Sequence, residues 1–245
     1  GVQTLRGIEN FRITEIPISN EPYLIAAFGY VKKAAVLANH ALGVLPEGIH
    51  GALLEACDRL IAGQYLDQFP TDMIQGGAGT STNMNANEVI ANVALEILGH
   101  PKGAYHIINP NDHVNCSQST NDAYPTAFRV ALMNRMTSYR STLIKLADAF
   151  ENKGQEFEHV LKMGRTHLQD ATPIRLGQEF LGYAGQIERG KDRARVAINE
   201  LREVALGGTA VGTGINTHPE FSKRVCALIS KQSGVEIVES TNHFQ

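Results

Sequence analysis

Apolar residues recur at three- and four-residue spacing over most of the chain, the period of a helix with one face turned to a core. Residues 26–42 (AAFGYVKKAAVLANHAL) and 49–61 (IHGALLEACDRLI) both follow it, and the second run ends near Gly63. Residues 87–98 (NEVIANVALEIL) predict a helix capped by Asn87, with Glu88 at its positive end and Gly99 as its stop; Pro101 bars continuation. A longer helix is predicted from about Tyr124 to Glu158. Pro125 suits a first turn, where the missing amide has no acceptor to serve. Were the helix to start near Thr120, the proline would fall inside it and is expected to kink it. Pro173 to about Glu203 predicts a helix of about 30 residues, far above the mean of about 11–12, and His218–Lys231 a shorter one. Helices of that length predict a bundle. Two-residue alternation is weak, and Phe11–Ile18 (FRITEIPI) is the best strand candidate.

Four polar, glycine-rich stretches interrupt the helical pattern: residues 75–87 (QGGAGTSTNMNAN), 109–122 (NPNDHVNCSQSTND), 164–173 (GRTHLQDATP) and 207–218 (GGTAVGTGINTH). Connections between rigid helices are where binding groups are usually presented. The first stretch has no charge before Glu88. It is neither a P-loop, since no GK[ST] follows its glycines, nor GxGxxG. Two readings stand: plain turn glycines, or an anion nest in which amides with Thr80, Ser81 and Asn83 hold a carboxylate or phosphate. In the second stretch Ser119 and Asp122 have capping-box spacing, and a helix start of this kind can also take an anion. In the third, His167 is either structural or a hydrogen-bonding partner of a substrate amine or carboxylate. Arg165 reads as a brace for that stretch and Asp170 as a cap for the helix at Pro173. The fourth stretch is a tight connection or a close backbone approach around a ligand.

Composition narrows the field. The 245 residues are 43% hydrophobic and 19% charged, with a net charge of −3 and no basic run suited to nucleic acid or an anionic membrane. No apolar run reaches the roughly 18 residues of a membrane span. Three scattered cysteines, Cys57, Cys116 and Cys226, make neither a disulfide framework nor a CxxC metal site, and predict a reduced, cytoplasmic setting. Cys116 lacks a defined histidine partner and reads as a small buried thiol. His106, Asp112 and His113 are too irregularly placed for a metal site. No GxSxG element supports a serine hydrolase.

Taken together, QGGAGTSTNMNANEVIAN at 75–92, NPNDHVNCSQSTNDAYPTAFR at 109–129, MGRTHLQDATPIRLGQEF at 163–180 and GGTAVGTGINT at 207–217 resemble the aspartase/fumarase superfamily. The resemblance extends through GVQTLRGIENF at 1–11, VKKAAVLAN at 31–39 and DQFPTD at 67–72, so it covers nearly the whole chain. It implies a mostly α fold. A helical N-terminal domain would occupy residues 1–119, and the first part of a central long-helix bundle residues 120–245. It also implies a homotetramer in which three subunits share each active site.

The reaction implied is a reversible anti elimination that releases fumarate through an aci-carboxylate dianion. Position by position, Thr80, Ser119, Thr120, Asn121, Thr166 and His167 resemble the substrate-binding set, with Asn121 a contact of the leaving group. The proton acceptor resembles a serine in a GSSxMPxKxNP loop, a motif that residues 1–245 do not contain, so these residues alone are expected to be inactive. No cofactor is implied as required. Some members are stimulated by divalent cations, but no residue picked out from the sequence supports a metal site. Ser81-Thr82, Asn109 and Thr120 depart from the residues typical of fumarases, and NPNDHVN and STNDAYPTAFR resemble the branch that releases ammonia from L-aspartate. Hydration of fumarate to L-malate is the alternative reaction. A non-catalytic relative is a third reading, and a missing serine in the GSS loop would favour it.

Overall fold

A computed structural model describes residues 1–245. Seven α-helices dominate it: α1 (Val2–Asn10), α2 (Pro22–Ala41), α3 (Glu47–Ile61), α4 (Thr80–Ile97), α5 (Thr120–Glu156), α6 (Leu176–Glu200) and α7 (Phe221–Ser233). Four short strands join them: β1 (Leu161–Thr166), β2 (Gln169–Arg175), β3 (Glu203–Val204) and β4 (Val238–Glu239). The chain divides into two compact units, one of residues 1–134 and 201–245, the other of residues 135–200. No helix is long and apolar enough to cross a membrane.

In the first unit α2 is the central element. Pro22 starts it, and Ile25, Ala27, Phe28, Val31, Ala34, Ala35 and Ala38 are all buried. A helix apolar on most sides needs neighbours on most sides. α3 and α7 pack on it, α4 on α3, and α1 on α4. Gly29 permits the close α2–α3 approach, since a Cβ there would lie 2.6 Å from Ile61 Cγ1. Each large side chain buried in this core, such as Phe28, Leu53 or Ile90, contributes about 1.5–3 kcal/mol.

The predicted α2, α3 and α7 form with modest shifts of boundary. α4 does not begin at Asn87: it starts at Thr80, seven residues earlier, and Asn87 is buried inside it. The cause is the turn before it, where Gly77 and Gly79 take φ of 79° and 89° and the Gln75 side chain accepts from Thr82 N. Glu88 is therefore not at the positive end of α4. Its carboxylate instead serves the start of α1, accepting from Gln3 N at 2.8 Å, Thr4 N at 3.0 Å and Thr4 Oγ1 at 2.6 Å. Burial pushes that carboxyl up, but these donors outweigh it and hold it below its usual range. Gly99, at φ 78°, does end α4.

Residues 11–18 form no strand. Asp72 Oδ2 gathers the amides of Ile13, Thr14 and Glu15 at 2.8–3.0 Å, which winds the segment around a carboxylate; only an isolated bridge joins Pro17 and Asp72. α5 starts at Thr120, so Pro125 lies within it and the carbonyl of Asn121 lacks its usual amide donor.

The second unit contains a hairpin that the sequence pattern did not predict. β1 and β2 pair antiparallel, turning at His167 and Leu168, whose φ values are 45° and 63°. α6 consequently begins at Leu176 rather than Pro173, and Asp170 caps nothing there: it pairs with Arg165 across the hairpin at 3.2 Å. Phe150, Phe157, Phe180 and Tyr183 form an aromatic cluster between α5 and α6, with ring centroids 5.4–6.2 Å apart. Gly154 and Gly177 face each other at a point where neither helix has room for a side chain. Lys162 Nζ bonds Glu179 Oε1 at 2.7 Å, and Arg175 pairs with Glu158.

Candidate active site

A buried lysine joins the first turn of α4 to the segment that leads into α5. Lys32 of α2 is fully buried, and its Nζ donates to Asn83 Oδ1 at 2.8 Å, Asn115 Oδ1 at 2.8 Å and Gln118 Oε1 at 3.0 Å. Three acceptors match the three hydrogens of an ammonium. Burial nonetheless pushes the amine down to about 7, against the opposing pull of the Asp122 charge. Lys32 also fixes which way Asn83 faces: with Oδ1 taken, Asn83 Nδ2 donates to Thr120 Oγ1 at 2.9 Å and to Asn115 Oδ1 at 3.2 Å. Gly79 closes the same contact, because its lack of a side chain lets the Tyr124 ring lie against it.

Asp122 holds the start of α5. Its Oδ1 accepts from Ser119 N at 2.8 Å, the half of a capping box that the spacing predicts, while the Ser119 hydroxyl caps the helix by accepting from Asn121 N at 3.3 Å rather than from Asp122 N. Its Oδ2 accepts from Gly207 N at 3.0 Å and Thr209 N at 2.9 Å, docking the fourth polar stretch on α5. Burial raises this carboxyl above its usual range, opposed by the three amides and by Lys32. From the same turn, Asn121 Nδ2 donates to Ala210 O at 2.7 Å.

These bonds assign polarity to the candidate residues. The amide nitrogen of Asn83 can only donate, so Thr120 Oγ1 is the acceptor and keeps its own hydrogen for another partner. The Ser119 hydroxyl likewise keeps its hydrogen. Thr80 Oγ1 donates to Gly77 O at 2.6 Å, which leaves its lone pairs. Ala210 O can only accept, so Asn121 must turn its nitrogen there and keep Oδ1 as an acceptor. The four residues thus hold two hydroxyl donors and two oxygen acceptors, all neutral.

Thr80, Ser119, Thr120 and Asn121 belong to the first unit. Thr166 ends β1 and His167 occupies the hairpin tip, both exposed, in the second unit. Asn109 caps a short π-helical turn at Pro110–Val114, accepting from Asn111 N and Asp112 N at 2.8 and 3.2 Å. Cys116 is half-buried and burial pushes its thiol up, which disfavours the thiolate that a nucleophile needs. Lys32 and Asn83 were not singled out as a working pair from sequence. The signal was there: Lys32 lies four residues after Phe28 and three before Ala35, on the apolar stripe of α2, where a charge has to be paired.

The fold is that of known helical lyases. A family model described as Lyase matches residues 1–245. The chain belongs to this lyase family, within the aspartase/fumarase superfamily. It is 53% identical over 242 residues to aspartate ammonia-lyase of Helicobacter pylori, covering 99% of this chain and 52% of the relative. It is also 50% identical over 246 residues to class II fumarate hydratase of Halobacterium salinarum, covering 100% of this chain and 52% of that protein. Among solved structures, the fumarate lyase:delta crystallin of Brucella melitensis bound to cobalt superposes with a TM-score of 0.96 at 49% identity, over all of this chain and 53% of that one. The chain spans about half the length of the curated relatives it matches.

Proposed function

We propose that the complete protein carrying this chain is an aspartate ammonia-lyase, which eliminates ammonia from L-aspartate to give fumarate, reversibly. The observation that carries this reading is the orientation of Asn121. Its nitrogen is committed to Ala210 O, and a substrate ammonium, which has three donors and no acceptor, needs an oxygen of the kind Asn121 then has left. Thr80 Oγ1 supplies a second acceptor. The Ser119 and Thr120 hydroxyls supply donors for a carboxylate. Thr166 and His167, on the hairpin of the second unit, are further substrate contacts in this reading, brought to a site in the assembled protein.

In this reading a base takes the proton at Cβ, the electron pair moves into the adjacent carboxylate, and the resulting dianion expels the nitrogen with its bonding pair. Donors held in place before the charge develops lower that barrier. Asn83 and Lys32 hold Thr120 in this way. In this reading the proton acceptor is a serine of the GSS loop that the family resemblance implies for the complete protein. The complete protein works as a homotetramer with sites shared by three subunits, without a required cofactor. Free Cys57, Cys116 and Cys226 support a cytoplasmic location.

The 50% identity to a class II fumarate hydratase supports the second reading, hydration of fumarate to L-malate. Ultraviolet absorbance of fumarate, followed with the complete protein on L-aspartate and L-malate in parallel, separates the two. Fumarate from aspartate with equal ammonia, and little from malate, is the expected result; preference for malate makes the protein a fumarase. Silence with both favours a related amino-acid lyase or a non-catalytic relative.

A further inference from the structure

We propose that His40, Glu47 and His50 bind one divalent transition-metal ion of the zinc class, across the turn between α2 and α3. His40 is in the last turn of α2, Glu47 opens α3, and His50 follows Glu47 by three residues, on the same helix face. One ligand atom from each lies within 4.8 Å of the others. Around a tetrahedral ion with bonds of about 2.0–2.2 Å, ligand atoms sit roughly 3.3–3.6 Å apart. Closing from one spacing to the other brings the ligand atoms together by at most about 1.2–1.5 Å.

The groups are poised for such a change. His40 Nε2 is screened from solvent and makes no hydrogen bond, while Glu47 Oε2 lies 3.2 Å from it. Glu47 is 90% exposed and free to swing. The His40 and His50 rings stack with centroids 3.8 Å apart and planes 10° from parallel. One ion cannot lie in both of two nearly parallel ring planes, so metal binding turns one ring about χ2 and replaces the stack with two coordinate bonds.

The backbone beneath them is fixed. Asn39 O accepts from Val44 N and Leu45 N, and the Asn39 side chain is held by Ser117 Oγ at 2.7 Å and Cys116 O at 3.0 Å. Leu45 and Ile49 are buried on either side of Glu47. The negative end of α2 favours a cation and the positive end of α3 opposes it, so the donor atoms, with the Glu47 charge, carry the attraction. Two imidazoles with one carboxylate, and an open fourth position for water, suit zinc, with cobalt, nickel or copper accepted by the same donors. The oxygen-seeking magnesium and calcium ions are poorly matched.

The test titrates Zn²⁺ alone into the complete protein after chelator treatment and dialysis, with Co²⁺ as a spectroscopic substitute. One saturable Zn²⁺ per chain is expected to disappear in the His40→Gln/His50→Gln double variant, with visible Co²⁺ bands lost in parallel. Glu47→Gln, at a position 90% exposed and outside the core, is expected to weaken binding at least tenfold. His100→Gln serves as the control and leaves it unchanged. Zn²⁺ also raises the melting temperature of the wild-type protein and not of the double variant. Identical titrations for wild type and double variant, or the absence of a saturable site, overturn the proposal and leave the histidines as a stacked staple of the turn.

Discussion

Lys32 and Asn83 act together, and each can be tested by what it does to the other. Asn83→Asp keeps an acceptor for Lys32 but removes the donor to Thr120, whose hydroxyl then turns its hydrogen to the new carboxylate. Fold retained, with kcat reduced by about 10²–10³, is the expected result, since one prealigned donor contributes about that much; melting curves and steady-state rates on the complete protein check it. Titration of Lys32 leaves a second mark. Its amine is pushed down to about 7 in the folded protein and stays protonated to about 10.4 when unfolded. Between those values the unfolded chain binds the extra proton, so this site makes stability rise with pH, by at most about 1.4 kcal/mol per unit. Below pH 7 both states are charged and the folded state bears the full penalty of burying the charge. Lys32→Met is expected to flatten that rise, and melting temperatures measured from pH 7 to 9 check it.

At the scale of elements, the turn that starts α4 matters most. Gly79 has φ 89° and lies against the Tyr124 ring, so Gly79→Ala suffers both the left-handed backbone and the collision. Gly99 has φ 78° with nothing within 4 Å of where a Cβ would stand, so Gly99→Ala suffers the backbone strain alone, about 1 kcal/mol. Gly79→Ala should therefore lower the melting temperature further than Gly99→Ala; equal losses would mean that the α4–α5 contact yields easily. The sequence pattern predicted α2, α3 and α7 well because each buries one stripe or more of apolar residues. It failed where side chains outrank periodicity. Asp72 turns residues 11–18 away from a strand, Gln75 with two glycines starts α4 early, and the β1–β2 hairpin is mostly exposed on both faces and shows no alternation. The polar stretches carrying Thr80, Ser119–Asn121, Thr166 and His167 were legible as chemistry, but the direction of each hydrogen bond was not. His40, Glu47 and His50 could not be grouped either, because only the antiparallel return of α3 brings residues 40 and 50 together.

For the whole molecule, the second unit leaves Leu161, Leu181, Tyr183 and Val196 exposed. The proposed homotetramer is expected to cover these side chains. Sedimentation of the complete protein is expected to give four chains, and Leu181→Glu with Val196→Glu to give smaller species. The central claim, that an acceptor oxygen at Asn121 receives the leaving nitrogen, is tested most directly by the rate of fumarate and ammonia release from L-aspartate in the complete protein and its Asn121→Leu variant. The account predicts equal fumarate and ammonia from the wild type and a fall of about 10²–10³ in kcat/KM for the variant. An unchanged rate on aspartate in the variant would contradict it.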